Sequence, residues 1–219
     1  MQPKTISIGS IGHDIDVNDL LGNVWENIPS TTVSTYWSGS EAPVGRHFSF
    51  RMLWSAENLY VHFRANIGEP LVVSEKPDLT CKSIGLWDRD VCEIFIAPNL
   101  DEPRKYFEFE VAPNGEWLDV AIDYSGGERV ADWNYHSGME TAAVVRTRSD
   151  SDGSLNIVMA MKIPFASLGK TPKAGDVWLG NLFRCVGKDP TRGYLSWSPT
   201  FAETPNFHVP AAFGEFRFV

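Results

Sequence analysis

Apolar residues recur at every second position in short runs broken by turn residues, and no other feature of this chain limits its fold as tightly. A period of two sends alternate side chains to opposite faces of an extended strand. Over residues 56–66, AENLYVHFRAN puts Leu59, Val61, Phe63 and Ala65 on one face and Tyr60, His62 and Arg64 on the other. Over 106–111, Phe107, Phe109 and Val111 oppose Tyr106, Glu108 and Glu110. VCEIFI at 91–96 is apolar on both faces except at Glu93, as a central strand is. Further candidate strands cover 116–124, 141–148, 154–163, 176–187 and the closing FGEFRFV.

Pro113-Asn114-Gly115 and Asp152-Gly153 read as hairpin turns between such runs. Helix is confined to one turn after Pro164, stopped by Gly169, and a short piece around 17–21. The expected fold is therefore all-β: a two-sheet antiparallel β-sandwich, jelly-roll or immunoglobulin-like, with little helix. One domain is expected over 1–219, its stretch 1–45 wrapping the sandwich.

The length of 219 residues suits a single large β domain, and 43% hydrophobic residues suffice for its core. A formal net charge of −9 repels phosphate backbones and anionic lipid, so nucleic acid is not an expected partner. No apolar run approaches the ~20 residues of a membrane helix, and no membrane insertion is expected. The start, MQPKTISIG, has no apolar stretch after its lysine and does not read as a signal peptide. The compartment stays open, extracytoplasmic only if a leader was removed. Cys81, Cys92 and Cys185 cannot all pair among themselves and show no CxxC spacing, which favours reduced, packed thiols over one disulfide.

Eight tryptophans are many for such a domain. Trp87 precedes the polar Asp88-Arg89-Asp90, and Trp197 lies in LSWSPT before a proline-containing loop. Sugars pack their C–H faces on indole rings, while their hydroxyls need carboxylate, guanidinium and amide partners. Trp54, Trp117 and Trp178 lie in strand-like runs and read as core or sandwich-edge residues. Charges also interrupt apolar strands. Glu93, Arg64 and Arg184, the last near Asn181, must each find a partner or face a wet concavity, because an unpaired buried charge costs several kcal/mol. A Glu–Arg pair across the sheet is as good a reading of these as a ligand role. Neither GxSxG nor HExxH occurs, and the five histidines show no metal-ligand spacing. Asp150-Ser151-Asp152-Gly153 begins like a calcium loop but lacks its third acidic position and closing Glu, so it reads as a turn.

LWDRDVCEIFIAP, followed by YFEFEVAPNGEWLD, resembles the family 9 carbohydrate-binding modules and their stand-alone, DOMON-like relatives. The similarity continues through WLGNLFRCVG and LSWSPTFAETPNFHVPAAFGEFRF. With WSAENLYVHFRA before them, these motifs span the chain from about Phe48 to its end in the expected order. The resemblance implies non-catalytic binding of a mono- or oligosaccharide, serving carbohydrate catabolism. It implies a sugar held between two tryptophans, with Trp87 in the first position and Trp197 in the second, or Phe201 or Phe207 in its place. Glu93, Arg64, Asn181 and Arg184 become candidates for the polar contacts. Structural calcium and a companion glycoside hydrolase are further implications, with no calcium ligands assigned.

Two other classes compete. A glycoside hydrolase-like enzyme would use two of Glu93, Glu108 and Glu110 as acid and nucleophile or base. A haem-binding DOMON-like electron-transfer domain would draw axial ligands from His62, Met52, Met139, Met159 and Met161.

Overall fold

A computed structural model describes residues 3–147 and 155–219 of the chain. Thirteen strands lie within them: β1 (Thr5–Ser10), β2 (Thr31–Val33), β3 (Phe48–Trp54), β4 (Asn58–Asn66), β5 (Val91–Ala97), β6 (Lys105–Val111), β7 (Trp117–Asp123), β8 (Val130–Asp132), β9 (Glu140–Thr147), β10 (Leu155–Pro164), β11 (Val177–Val186), β12 (Gly193–Ser196) and β13 (Gly214–Phe218). Helix among the described residues is limited to 3-10 turns, including Val17–Asp19 and Phe165–Leu168, the latter closed by Gly169 at φ 69°.

The strands form one sheet curled into two layers. The first, sheet A, runs β8-β7-β6-β5-β11-β13-β1, with β12 also on β11; the second, sheet B, runs β1-β3-β4-β10-β9, with β2 on β3. The antiparallel sandwich read from the periodicity is what forms, with one departure. Strand β1 belongs to both layers: residues 5–8 pair parallel with β13, and Gly9 and Ser10 pair parallel with β3. The N-terminal stretch therefore stitches the layers together. It also lays Ile15, Leu20 and Trp25 over Tyr60 on the outer face of sheet B.

Between the layers lies the main core, built by the alternation of each strand. It takes Phe48, Phe50 and Met52 from β3, Val61 and Phe63 from β4, Ile94 and Ile96 from β5, Phe109 and Val111 from β6, and Met159 and Met161 from β10. Trp178 is fully buried there, whereas Trp54 and Trp117 are half-buried against its margin. A second apolar cluster covers the outer face of sheet A, where Leu86, Phe207 and Phe213 from loops pack on Phe95, Tyr106, Val120 and Phe183. That second face carries the site.

His62 does not meet the candidate methionine haem ligands. Met52, Met139, Met159 and Met161 belong to the main core, while His62 faces the other side of β4 and packs against Trp25, ring centroids 5.0 Å apart. Of the cysteines, Cys92 and Cys185 are buried free thiols, but Cys81 is exposed and not packed as expected. Asp150–Gly153, expected as a turn, lies outside the described residues.

Where β11 crosses between β5 and β13 the sheet has no room for a side chain. A Cβ at Gly180 would stand 2.2 Å from the Phe216 ring and 2.4 Å from the Phe95 carbonyl oxygen. Backbone cannot swing aside as a side chain can, so Gly180→Ala is expected to destabilise the protein by at least about 2 kcal/mol. Urea titration measures it; an unchanged midpoint contradicts this packing.

Candidate functional site

On the outer face of sheet A, two neighbouring strands present carboxylates where the pattern calls for apolar residues. Glu93 is opposite Glu110 in the β5–β6 register, and Phe95 is opposite Glu108. All three share one face with Phe95 and Tyr106, so the alternation that buries Ile94 and Phe109 inward forces the carboxylates outward together. One oxygen from each lies within 4.8 Å of one oxygen from both others. Glu93, Glu108 and Glu110 are only 2%, 5% and 0% exposed.

Loops build a cavity of about 340 Å³ over this floor. Trp87 comes from the 3-10 turn Leu86–Asp88. Gly85 enters that turn at φ 84°, a left-handed backbone that favours glycine, and Leu86 plugs into the apolar cluster beneath. Arg192 ties the loop down by donating to the carbonyls of Trp87 and Arg89, both at 2.6 Å. Trp133 follows β8, and its indole lies against that of Trp87 with centroids 5.9 Å apart and planes tilted by 34°. A ring slotted between two parallel indoles needs about 7–8 Å, two contacts of 3.5–4 Å, so this pair forms one continuous wall. Tyr194 and Phe207 line the cavity too, with Phe207 stacked on Phe183 at 4.0 Å.

The electrostatics are one-sided. Asp88, Glu93 and Glu108 line the cavity with Glu110 behind them, against a single lining guanidinium, Arg129. Burial, reinforced by the neighbouring Glu108 charge, pushes the Glu93 carboxyl up to about 8. Burial pushes Glu108 up to about 7, and burial with both neighbouring carboxylates raises Glu110 well above the usual range. The Cys185 thiol donates to Glu93 Oε1 at 3.3 Å. His208 supplies no counter-charge: its Nε2 is 3.9 Å from Glu108, and burial, aided by Arg129, lowers its pKa to about 3. No donor reaches either Glu110 oxygen unless a carboxyl proton is shared with Glu108. As a donor set, three carboxylates suit a hard divalent cation and suit an ammonium equally.

Of the six residues singled out from the sequence, Trp87 and Glu93 line this cavity and the other four stand elsewhere. Trp197 is 4% exposed inside the main core, stacked on Phe216 at 5.8 Å. Its ring occupies the space a Cβ at Gly214 would need, 2.6 Å away. Asn181 is fully buried and holds the W-S-P loop, accepting from Ser198 N at 2.9 Å and donating to Ser198 O at 2.7 Å. Arg184 points to the inner side of sheet A, opposite in direction to Glu93, and donates to the carbonyls of Arg46, His47 and Asn66. A Glu93–Arg184 pair is thereby excluded. Arg64 is exposed on the outer face of sheet B. Phe201 is 58% exposed outside the cavity, whereas Phe207 lines it.

Trp133 and Arg129 were missed by sequence reasoning. Trp133 sits in VADWNYH, a polar setting of the same kind that drew attention to Trp87.

The pattern of carbohydrate-binding family 9 matches residues 24–218. No curated protein matches the chain. Among solved structures, a Bacteroides uniformis ATCC 8492 protein proposed to bind carbohydrate superposes with a TM-score of 0.74 at 19% identity, over 100% of both chains. A family 9 carbohydrate-binding module from Caldicellulosiruptor kristjanssonii, solved with cellotriose, gives a TM-score of 0.66 at 17% identity, covering 98% of this chain and 93% of that one. A family 9 module from the same organism, solved with glucose, gives 0.66 at 16% identity over 99% and 96%. At these identities the likeness shows the fold.

Proposed function

The chain belongs to carbohydrate-binding family 9, and from that premise we propose that it binds a mono- or oligosaccharide in the cavity on the outer face of sheet A. The observation that carries this reading is the Trp87–Trp133 wall standing over a carboxylate floor. Indole faces pack on the C–H faces of a pyranose, and the polar floor takes its hydroxyls. The cavity volume of about 340 Å³ falls at the low end of the ~300–1,000 Å³ of small-molecule sites, which suits one or two sugar units.

The relatives solved with cellotriose and glucose support a sugar ligand of this size. Held by one apolar wall and a few hydrogen bonds, such a ligand binds with a Kd in the micromolar to millimolar range, about −8 to −4 kcal/mol.

Both wall tryptophans are partly exposed, at 36% and 40%, so a bound sugar alters their emission. Titration of the intrinsic fluorescence with mono- and oligosaccharides is expected to give a saturable change. Trp87→Ala is expected to weaken the affinity at least about 10-fold, the loss of roughly 1.4 kcal/mol of stacking. Trp133→Ala is expected to do the same, with folded circular dichroism spectra in both. Equal affinity in wild type and both variants would move the site away from this cavity.

A further inference from the structure

We infer that the sugar taken by this cavity carries a protonated amine, an amino sugar whose ammonium sits over Glu93 and Glu108. The inference rests on the reading of the cavity as a sugar site and names the ligand's class. Its first ground is the imbalance of charge in the lining. A neutral sugar offers only uncharged hydroxyls to its surroundings. This lining sets three acidic side chains, Asp88, Glu93 and Glu108, against one cation, Arg129. Such a surplus of acidic groups calls for a positively charged ligand.

The second ground is Glu110. It is fully covered, no donor other than a proton shared with Glu108 reaches its oxygens, and one of them lies within 4.8 Å of oxygens of both Glu93 and Glu108. Nothing in the packing requires a third carboxyl there. An apolar side chain in its place would be less costly than a buried, unpaired acid. Placed behind two carboxyls that open to the cavity, Glu110 is a third acid whose ionised form a bound cation would favour. An ammonium bound there makes charge-assisted hydrogen bonds to the two lining carboxylates. The aromatic wall decides between an ammonium and a metal ion. Trp87 and Trp133 give little to a hydrated divalent cation, but they pack on a sugar ring and attract its ammonium through their π faces.

A consequence separates this ligand from a neutral one. Buried among Phe95, Tyr106, Cys185 and His208, with Arg129 and Asp88 at the rim, the carboxyls hold protons in the free protein. An ammonium binds their ionised form and displaces those protons. Its affinity therefore rises as pH is raised from about 5 to 7.

The test is calorimetric titration, in EDTA, with glucosamine, galactosamine and mannosamine, each beside its parent hexose and its N-acetyl derivative. At least one amino hexose is expected to bind 10-fold or more tightly than both its counterparts, and more tightly at pH 7 than at pH 5. In Glu108→Gln and, separately, Glu93→Gln, the ratio of amine to parent affinity is expected to fall towards one. Parent hexoses binding as well as their amines would overturn the inference while leaving sugar binding in place. Failure of every sugar to bind would overturn both. Calcium chloride strengthening the parent hexoses, with no gain from the amine, would assign the carboxylates to a metal and overturn it as well.

Discussion

Trp197→Ala is expected to lower the stability of the protein by about 3–5 kcal/mol, the range for removing a large aromatic from a packed core. For a domain of this length that corresponds to a fall in Tm on the order of 10 °C. The indole is 4% exposed, stacked on Phe216 and edge-on to Phe50 at 6.0 Å. Gly214 leaves the gap that its ring fills. Trp87→Ala is the control, since that ring is 36% exposed and its loop is anchored by Leu86 and Arg192. Its Tm is expected to stay within about 2 °C of wild type, as surface substitutions do. Paired thermal melts of the two variants decide the matter. Equal melting of Trp197→Ala and wild type would mean that Trp197 is not a core residue and would return it to the list of ligand platforms.

The second large effect is on the pH dependence of stability, and its sign follows from proton uptake. Glu93, Glu108 and Glu110 titrate higher folded than unfolded, where a glutamate sits near ~4.3. From there up to about 7–8 the folded state holds more protons, so stability falls as pH rises. Two histidines act in the opposite direction. Burial, with Arg51, Arg146 and Arg64 nearby, lowers His62 to about 4, and burial with Arg129 lowers His208 to about 3. Unfolded, both titrate near ~6.5, so they make stability rise with pH up to that point and contribute nothing to the slope beyond it.

Above about pH 6.5 the carboxyls therefore set the slope, joined near pH 8 by the Cys92 and Cys185 thiols, which burial raises and which act in the same direction. Unliganded protein is expected to lose stability between pH 6.5 and 8, and Glu110→Gln to recover about 1–3 kcal/mol of it at pH 8 while changing little at pH 5. The amide keeps the shape and can donate to Glu93 or Glu108. Guanidinium titrations at pH 5, 6.5 and 8 test both statements. A wild type whose stability is flat or rising from 6.5 to 8, matched by Glu110→Gln, would show that the three carboxyls do not share buried surroundings.

Local sequence determined the strands and their faces. Alternation in LYVHFRA and YFEFEV assigned each side chain of β4 and β6 to its face, because a strand's geometry alone sends neighbours in opposite directions. Pro113-Asn114-Gly115 marked its turn for the same kind of reason: Gly115 takes φ 89°, which its own chemistry permits. The motif that holds Trp87 and Glu93 was legible too, since both lie within seven residues of one loop-to-strand junction.

Tertiary structure alone decided what shares the cavity. Trp133 and Trp197 both follow short strands in polar surroundings, yet one joins Trp87 and the other enters the core. The difference lies in Gly214, which is distant in sequence from Trp197 but leaves the space under its ring. Arg184 and Glu93 lie on paired strands, yet a one-residue offset in register turns the guanidinium inward to three carbonyls and the carboxylate outward. Glu110 was legible as an outward residue of its strand; that it stands behind two other carboxyls, covered and unpaired, depends on the β5–β6 register and on the loops laid over sheet A. Alternation is a property of one strand, whereas a site on this face is a property of which strands and loops come together across it.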